Sequence, residues 1–224
     1  MKEVLVNIFR FITFRSKVED FDDWDWRHFT VGILGTWAVG IARNWDYPDA
    51  PLFATLGLAS IAYVFVFSLV LFCFAWLVSE EKRNYWHVLT MVVLTSFPGL
   101  IYGIPVERFL EGGTAQVANL WFLGFVATWR VSLALFYLVR AAQNSFGIAL
   151  ATLATPIFGI ILSLILTGRA GYVMEIMGGM NRDSSSPEFQ VDSAIATLGC
   201  FSFLLAPIAF LVYLIAATAN RNSK

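Results

Sequence analysis

The chain has 224 residues, of which 58 % are hydrophobic and 14 % are charged, and its net charge is −1. A typical soluble domain is about 45–50 % apolar and about 25 % charged. The chain is more apolar and less charged than a soluble domain. These values exclude a disordered chain, a basic nucleic-acid-binding module and an ordinary soluble enzyme. The composition indicates an integral membrane protein, and the fold class that we expect is all-α, a polytopic transmembrane helical bundle.

Residues 1–27 are predicted to lie on the cytoplasmic side as an amphipathic helix followed by an acidic connector. Leu5, Ile8, Phe9 and Ile12 share one helical face, which is typical of a helix that lies in the membrane interface. A short helix packed against the bundle would show the same pattern, so both interpretations stay open. The acidic, tryptophan-bearing run that follows is expected to be a solvated connector, with a partner-docking site as the alternative.

Six stretches approach the length of about 20 apolar residues that a helix needs to cross a bilayer core about 30 Å thick. The first is the weakest, because only residues 29–42, 14 in all, lack an ionisable side chain in its centre. Together they form a single transmembrane domain over residues 28–220, with an outer loop at residues 168–193 before the last span. The predicted spans cover about residues 28–45, 52–78, 86–104, 117–139, 146–167 and 194–219.

The distribution of positive charge predicts the orientation of these spans. With a cytoplasmic N-terminus, ten basic residues fall on the cytoplasmic side and four on the outer side. We therefore expect a multi-pass protein of the cell membrane, a bacterial inner membrane, with both termini in the cytoplasm. The cytoplasmic residues are Lys2, Arg10, Arg15, Lys17, Arg27, Lys82, Arg83, Arg140, Arg221 and Lys224, and the outer ones are Arg43, Arg108, Arg169 and Arg182.

Two segments that each contain a mid-span Thr-Trp pair suggest an internal repeat. Residues 32–42 align with residues 124–134 at an offset of 92, and residues 58–71 align with residues 153–166 at an offset of 95. Because three is an odd number of spans, a three-plus-three duplication would place the two halves in opposite orientations. Such inverted-topology repeats recur in transporters, with the functional site near the midplane between the halves. The alternative is that Thr-Trp recurs by coincidence in a tryptophan-rich chain.

Arg130 lies midway along the fourth predicted span, where a charge costs at least about 2.5–3.5 kcal/mol on insertion scales. No Asp or Glu lies inside a predicted span, so its candidate partners include carbonyls freed at proline breaks and the rings of Trp129 and Trp37 through cation–π contact. Arg130 then either ties helices together, contacts an anion or a polar cavity, or extends toward the membrane surface. The candidate intramembrane polar site comprises Arg130, Trp129, Trp37 and Tyr102.

The third predicted span is interrupted at Pro98-Gly99 and again at Gly103-Ile104-Pro105. Prolines disrupt the helical hydrogen bonds, and lipid cannot replace them, so this segment is expected to face protein or water. Charged residues follow the break and also occupy the matching outer end of the first span, which predicts an outer polar cluster. Ordinary interfacial salt bridging is the alternative. That cluster comprises Arg43, Asp46, Glu107 and Arg108, and its carboxylates are further candidate partners for Arg130.

The motifs exclude the common intramembrane enzymes and ATP-driven transport by this chain alone. No span contains a Ser with a downstream His, paired aspartates or a lysine, and the chain has no Walker-type glycine loop. His28 and His87 begin two spans on the same side, but isolated interfacial histidines seldom bind haem. We expect no enzyme activity, no metal site and no cofactor.

Two functional hypotheses remain. The first is a small transporter or channel-like unit that is not driven by ATP and has a polar site near the midplane. The alternative is a non-catalytic membrane scaffold, an assembly factor or a subunit of a larger membrane complex. In both, the expected partners are the lipid bilayer and either further copies of this chain or other membrane subunits, with no nucleic acid.

Overall fold

The computed structural model describes residues 1–44, 52–78, 84–110, 112–169 and 188–222. Every regular element formed by these residues is a helix, and none of them is a β-strand. In chain order the α-helices are α1 (Lys2–Ile12), α2 (Val18–Asp22), α3 (Trp26–Asn44), α4 (Leu52–Thr55), α5 (Leu58–Val78), α6 (Tyr85–Leu94), α7 (Gly112–Arg140), α8 (Phe146–Leu166) and α9 (Glu188–Asn222). Two short 3-10 helices, Phe97–Gly103 and Val106–Arg108, connect α6 to α7.

Five helical stretches in the described part of the chain are long and apolar enough to cross a membrane, as expected for a multi-pass membrane protein. The stretches are Leu58–Val78, Tyr85–Gly103, Val117–Arg140, Phe146–Leu166 and Gly199–Ala219. The count is one fewer than the six that we predicted, because α3 does not qualify. Its 19 residues would rise about 28 Å, but Arg27 and Arg43 near its ends shorten the apolar stretch.

α3 nevertheless packs along the third span, Tyr85–Gly103, at close range. A Cβ atom built on Gly35 would lie 2.9 Å from the ring of Phe97, and one on Gly103 would lie 3.6 Å from the Cβ of Ala42. Small residues allow this close approach of helices within a membrane. Residues later in α3 contact residues later in the third span, so the two segments run in the same direction.

α7 runs in the opposite direction to α3. Tyr137, in the last turn of α7, stacks on Trp24 just before α3, with ring centroids 5.7 Å apart and planes 9° apart. The end of the bundle near these two rings is called the proximal end below. α3 and the third span therefore finish at the distal end, where α7 begins.

The α-helix of the third span is interrupted near its prolines, as we predicted from the sequence. α6 ends at Leu94, and the chain continues as the 3-10 helix Phe97–Gly103. The buried hydroxyl of Thr36 lies 3.3 Å from the carbonyl oxygen of Val93 and 3.0 Å from the hydroxyl of Ser96. A polar side chain of α3 thus supplies hydrogen bonds at the break that lipid could not supply.

The second predicted span, residues 52–78, is two helices rather than one. Gly57 lies between α4 and α5 with a φ of +71°, a conformation that favours glycine. A Cβ atom on Gly57 would lie 2.8 Å from the carbonyl oxygen of Trp37. The close approach of α3 therefore requires glycine here, and the left-handed glycine ends α4.

The acidic connector is not simply solvated, which corrects that expectation. Its Phe21 and Trp24 are buried and pack edge to face with centroids 5.1 Å apart. Phe11 of α1 lies 5.3 Å from the ring of Trp24, and Tyr137 lies 5.5 Å from the ring of Phe21. Aromatic edge-to-face pairs add to the free energy of area burial, so the apolar residues of this run fold against α7 while its carboxylates stay outside.

α1 has an inner and an outer apolar face. Val4, Ile8 and Phe11 are buried against the bundle, whereas Leu5 and Phe9 are exposed. The predicted single face therefore divides, with Ile8 pointing inward and Leu5 and Phe9 outward. The structure thus supports a helix packed on the bundle, and its exposed apolar residues also suit an interfacial position.

The last helix begins earlier than predicted. α9 starts at Glu188, six residues before the predicted start at residue 194, so the end of the predicted outer loop is helical. Residues 170–187 of that loop lie outside the described residues. α9 pairs with α8, and the hydroxyl of Tyr213 donates to the carbonyl oxygen of Phe74 in α5 at 3.1 Å.

The aligned halves place matching residues in different surroundings. Thr36 is buried, whereas Thr128 is exposed and hydrogen-bonds only within its own helix, to the carbonyl of Gly124 at 2.8 Å. Ser68 is buried within 3.0 Å of the hydroxyl of Tyr85, while the aligned serine of α8 is exposed. These differences lend the inverted repeat no support, and it stays a prediction.

Candidate functional site

Two arginines and two tyrosines from four different elements meet in the distal half of the bundle. Arg43 lies in the last turn of α3, Tyr63 in the second turn of α5, Tyr102 in the 3-10 helix and Arg130 in α7. The guanidinium carbon of Arg43 lies 5.0 Å from the ring centroid of Tyr102. That of Arg130 lies 5.9 Å from the ring centroid of Tyr63. We call these four residues the arginine–tyrosine cluster.

The two halves of the cluster are electrostatically connected. Arg43 packs against the ring of Tyr102, and Arg130 is close enough to act electrostatically on both Arg43 and Tyr102. The Nε atom of Arg43 is buried, with no hydrogen-bond partner in the described structure. The cluster therefore brings two positive charges close together and leaves a buried donor unused.

The direction of side chains on a helix explains how Arg130 reaches this position. Every Cα–Cβ bond in an α-helix tilts toward the helix N-terminus, and α7 begins at the distal end. The long side chain of Arg130 therefore extends from mid-helix toward Tyr63, near the start of α5. Its Coulomb interaction with Arg43 follows, because α3 ends at the same level.

The described contacts of Arg130 do not offset its insertion cost. A cation–π contact contributes about 0.5–2 kcal/mol, against at least about 2.5–3.5 kcal/mol for a central charge. The salt bridges among described side chains all involve residues between Arg10 and His28, far from Arg130. Arg130 therefore needs a further stabilising interaction beyond the ring of Tyr63.

The two mid-span tryptophans are placed outside the cluster. The indole nitrogen of Trp129 donates to the carbonyl oxygen of Ile12 at 3.1 Å, and that of Trp37 donates to the carbonyl oxygen of Leu56 at 2.8 Å. Each thus satisfies a carbonyl where a short helix, α1 or α4, ends. Helix ends leave such carbonyls without an intrahelical partner, so these indoles bind neighbouring backbone rather than Arg130.

The predicted outer cluster is divided. Arg43 belongs with Tyr102 and Arg130, whereas Arg108 is exposed and outside that group. Asp46 and the side chain of Glu107 lie outside the described residues. Of the eight residues predicted for the two sites, the structure therefore brings three together: Arg43, Tyr102 and Arg130.

Tyr63 is the member that sequence reasoning missed. It lies in α5, the most apolar of the spans, where no charge drew attention to it. The one feature that could have marked Tyr63 as a candidate site residue is its hydroxyl, since the residues next to it are apolar. A tyrosine in a span pairs an aromatic face with a polar end, and both suit a neighbouring guanidinium.

His28 and His87 occupy equivalent places at two helix starts. Oδ1 of Asp25 accepts the backbone N–H of His28 at 3.3 Å and lies 2.8 Å from its ring Nδ1. Oδ1 of Asn84 accepts the backbone N–H of His87 at 3.0 Å and lies 2.7 Å from its ring Nδ1. Both histidines thus stabilise N-caps.

The cap also affects the acidity of Asp25. Partial burial alone would raise the pKa of its carboxyl, but the hydrogen bonds from His28 and Arg27 outweigh this and lower the pKa below its usual value. Among the described residues, no group of three or more His, Cys, Asp and Glu side chains is arranged to hold a metal ion.

The arginine–tyrosine cluster offers positive charge and hydrogen-bond donors at the side of the bundle. An arginine remains charged in proteins and carries five N–H donors but no acceptor. The cluster is therefore suited to holding a negatively charged group or to lining a polar path. No family model, curated protein or solved structure matches the chain.

Proposed function

We propose that the protein is a small transporter or channel-like unit that is not driven by ATP, with the arginine–tyrosine cluster as its polar site. The observation that carries this proposal is the convergence of Arg43, Tyr63, Tyr102 and Arg130 from four elements of an apolar bundle. Charged residues inside membrane-spanning segments usually face the bundle interior or a water-filled cavity and mark substrate pathways.

The proposal includes a location and partners. The protein resides in the cell membrane, a bacterial inner membrane, with both termini in the cytoplasm, as the distribution of basic residues favours. The distal end of the bundle then faces outward. The protein acts without catalysis or cofactor, and it assembles in the bilayer with further copies of itself or with other membrane subunits.

The second candidate function is a scaffold, an assembly factor or a subunit of a larger membrane complex, and α9 favours it. Only 11 % of the residues of the last span are buried, against 56 % in the third. The exposed residues Phe203, Leu204, Ile208 and Ile215 lie on more than one face of α9. A helix so exposed contacts lipid or a neighbouring membrane subunit.

Reaction of introduced cysteines with a membrane-impermeant thiol reagent separates the two functions. The native Cys73 and Cys200, which are free and exposed, are first replaced with Ala. Tyr63→Cys and Tyr102→Cys test the cluster, Phe203→Cys on the apolar surface of α9 is the lipid-facing control, and Arg108→Cys is the exposed control. The transporter proposal expects the two cluster cysteines to react and Phe203→Cys to stay unmodified.

The opposite pattern would favour the scaffold. If both cluster cysteines are protected in intact membranes while Arg108→Cys reacts, water does not reach the cluster and the proposed pathway does not exist.

A further inference from the structure

We infer that the arginine–tyrosine cluster binds an oxyanion, a phosphate or carboxylate group, between Arg43 and Arg130. The inference rests on the proposed function in using the same site, and it adds the chemical class of the ligand.

The charges of the cluster have the same sign. Arg43 and Arg130 act on each other electrostatically, and arginine side chains stay charged in proteins. Like charges repel more strongly in the low dielectric of a bundle than in water. An anion placed between them turns this repulsion into two attractions, whereas a cation would increase it.

The hydrogen-bonding groups of the cluster are mainly donors. The buried Nε of Arg43 has no acceptor in the described structure. Tyr102, whose ring contacts the guanidinium of Arg43, carries a hydroxyl proton that it can donate to a ligand. Guanidinium groups match the paired oxygens of phosphate and carboxylate in particular, through two parallel N–H···O bonds. The cluster therefore fits a ligand rich in oxygen acceptors.

The cluster is accessible from the side of the bundle. Tyr63 is 47 % exposed, and Arg130 is partly exposed. A dissolved phosphate and the phosphate of an anionic lipid both carry the required oxygen acceptors. The chemistry is the same for the two sources, and separate arms of one experiment distinguish them.

The experiment measures the melting temperature of the full-length protein, delipidated in an uncharged detergent, at constant ionic strength. One arm titrates inorganic phosphate against chloride, and the other titrates short-chain phosphatidic acid against the matching phosphatidylcholine. Arg43→Gln and Arg130→Gln remove one charge each, and the exposed Arg108→Gln is the matched control. Arg130→Lys keeps the charge but lacks the paired donors, and it replaces Arg130→Gln if that variant does not fold.

We expect saturable stabilisation in at least one arm, with at least tenfold weaker apparent binding in Arg43→Gln and Arg130→Gln and no change in Arg108→Gln. Arg130→Lys should also bind more weakly. A response to inorganic phosphate identifies a dissolved anion, and a response to phosphatidic acid alone identifies a lipid head group. The inference is overturned if neither arm stabilises the protein, or if Arg108→Gln and Arg130→Gln respond alike.

The failure of this inference can be told apart from the failure of the proposed function. Stabilisation by phosphate together with protected cluster cysteines would leave an anion site without a pathway. Reactive cluster cysteines without stabilisation by either phosphate source would leave a pathway that does not select oxyanions.

Discussion

Thr36 and Thr128 have the same neighbours in sequence but make different hydrogen bonds. Thr36 reaches across to Val93 and Ser96 at the break of the third span, while Thr128 bonds only to the carbonyl four residues before it. Interhelical hydrogen bonds in membranes contribute about 0.6 kcal/mol on average and up to about 1.7 kcal/mol. Thr36 and Thr128 occupy aligned positions in the sequence, but of the two only Thr36 connects its helix to another segment.

Replacing Thr36 with Val keeps the shape of the side chain and removes the bridge to the third span. We expect Thr36→Val to lower the free energy of unfolding by about 1 kcal/mol, measured by denaturant titration in micelles. Thr128→Val is the matched control and should change stability by less than half as much. Equal losses in the two variants would show that the bridge of Thr36 contributes nothing beyond its local bond.

The residues of the candidate site were only partly predictable. Arg130 stands out from sequence because a charge interrupts an apolar run, and Tyr102 because prolines surround it. The pairing of Arg130 with Tyr63 depends on which helices are neighbours and on the direction of each side chain, and sequence spacing supplies neither. For the same reason Trp129, adjacent to Arg130 in sequence, contacts α1 instead.

At the scale of elements, α1 is attached to the bundle at its C-terminal end. Phe11 is fully buried among the aromatic rings of the proximal end, and the indole nitrogen of Trp129 donates to the carbonyl oxygen of Ile12. The exposed Leu5 and Phe9 leave the other face of the helix free for lipid. Its position therefore depends on this hydrogen bond, on its buried apolar face and on the ion pair of Arg10 with Asp20 of α2.

Removing the indole donor should loosen this attachment. Trp129→Phe leaves the carbonyl of Ile12 without its partner, which costs about 1 kcal/mol and raises the population of locally opened α1 about fivefold. Trypsin cleavage at Arg10 and Arg15, followed by mass spectrometry, should accelerate by that factor. Trp121→Phe, at a highly exposed position of α7, is the control, and cleavage at equal rates in the two variants would contradict the attachment.

α3 crosses closely over the chain at Gly57, just before α5. A Cβ atom on Gly40 would lie 2.8 Å from the Cα of Gly57, a backbone atom that cannot move aside cheaply. We expect Gly40→Ala to lower the free energy of unfolding by about 1–3 kcal/mol through overpacking. Gly124→Ala, where an added Cβ meets nothing within 4 Å, should be neutral or stabilising because Ala favours helix.

A stability loss of the same size in the two glycine variants would contradict the close crossing. The measurement is denaturant titration in micelles, as for Thr36→Val.

The elements themselves were largely predictable, because apolar runs determine where membrane helices lie. The fifth predicted span, residues 146–167, matches α8 within one residue. The division of residues 52–78 was missed because Gly57 becomes left-handed through its contact with α3, which is distant in sequence. The acidic connector was misjudged because Phe21 and Trp24 find a buried surface that only the assembled bundle provides.

At the scale of the whole molecule, the five spans are all long and apolar enough to cross a membrane but differ in burial. The third span is the most buried and the last span, in α9, is the least. Hydropathy identifies helices that tolerate lipid, but it does not tell which of them lipid surrounds. The central position of the third span places Tyr102 where α3 and α7 can both bring an arginine to it.

The central claim is that water and anions reach the arginine–tyrosine cluster. The most direct measurement compares how fast a negatively charged and a positively charged impermeant thiol reagent modify Tyr102→Cys in the cysteine-free protein, with and without Arg130→Gln. Clefts lined by one sign of charge raise the local concentration of the opposite ion at least about tenfold. We predict that the negatively charged reagent reacts about tenfold faster than its positive counterpart and that Arg130→Gln removes most of this preference. Absence of reaction with either reagent, or a preference that Arg130→Gln leaves unchanged, would contradict the account.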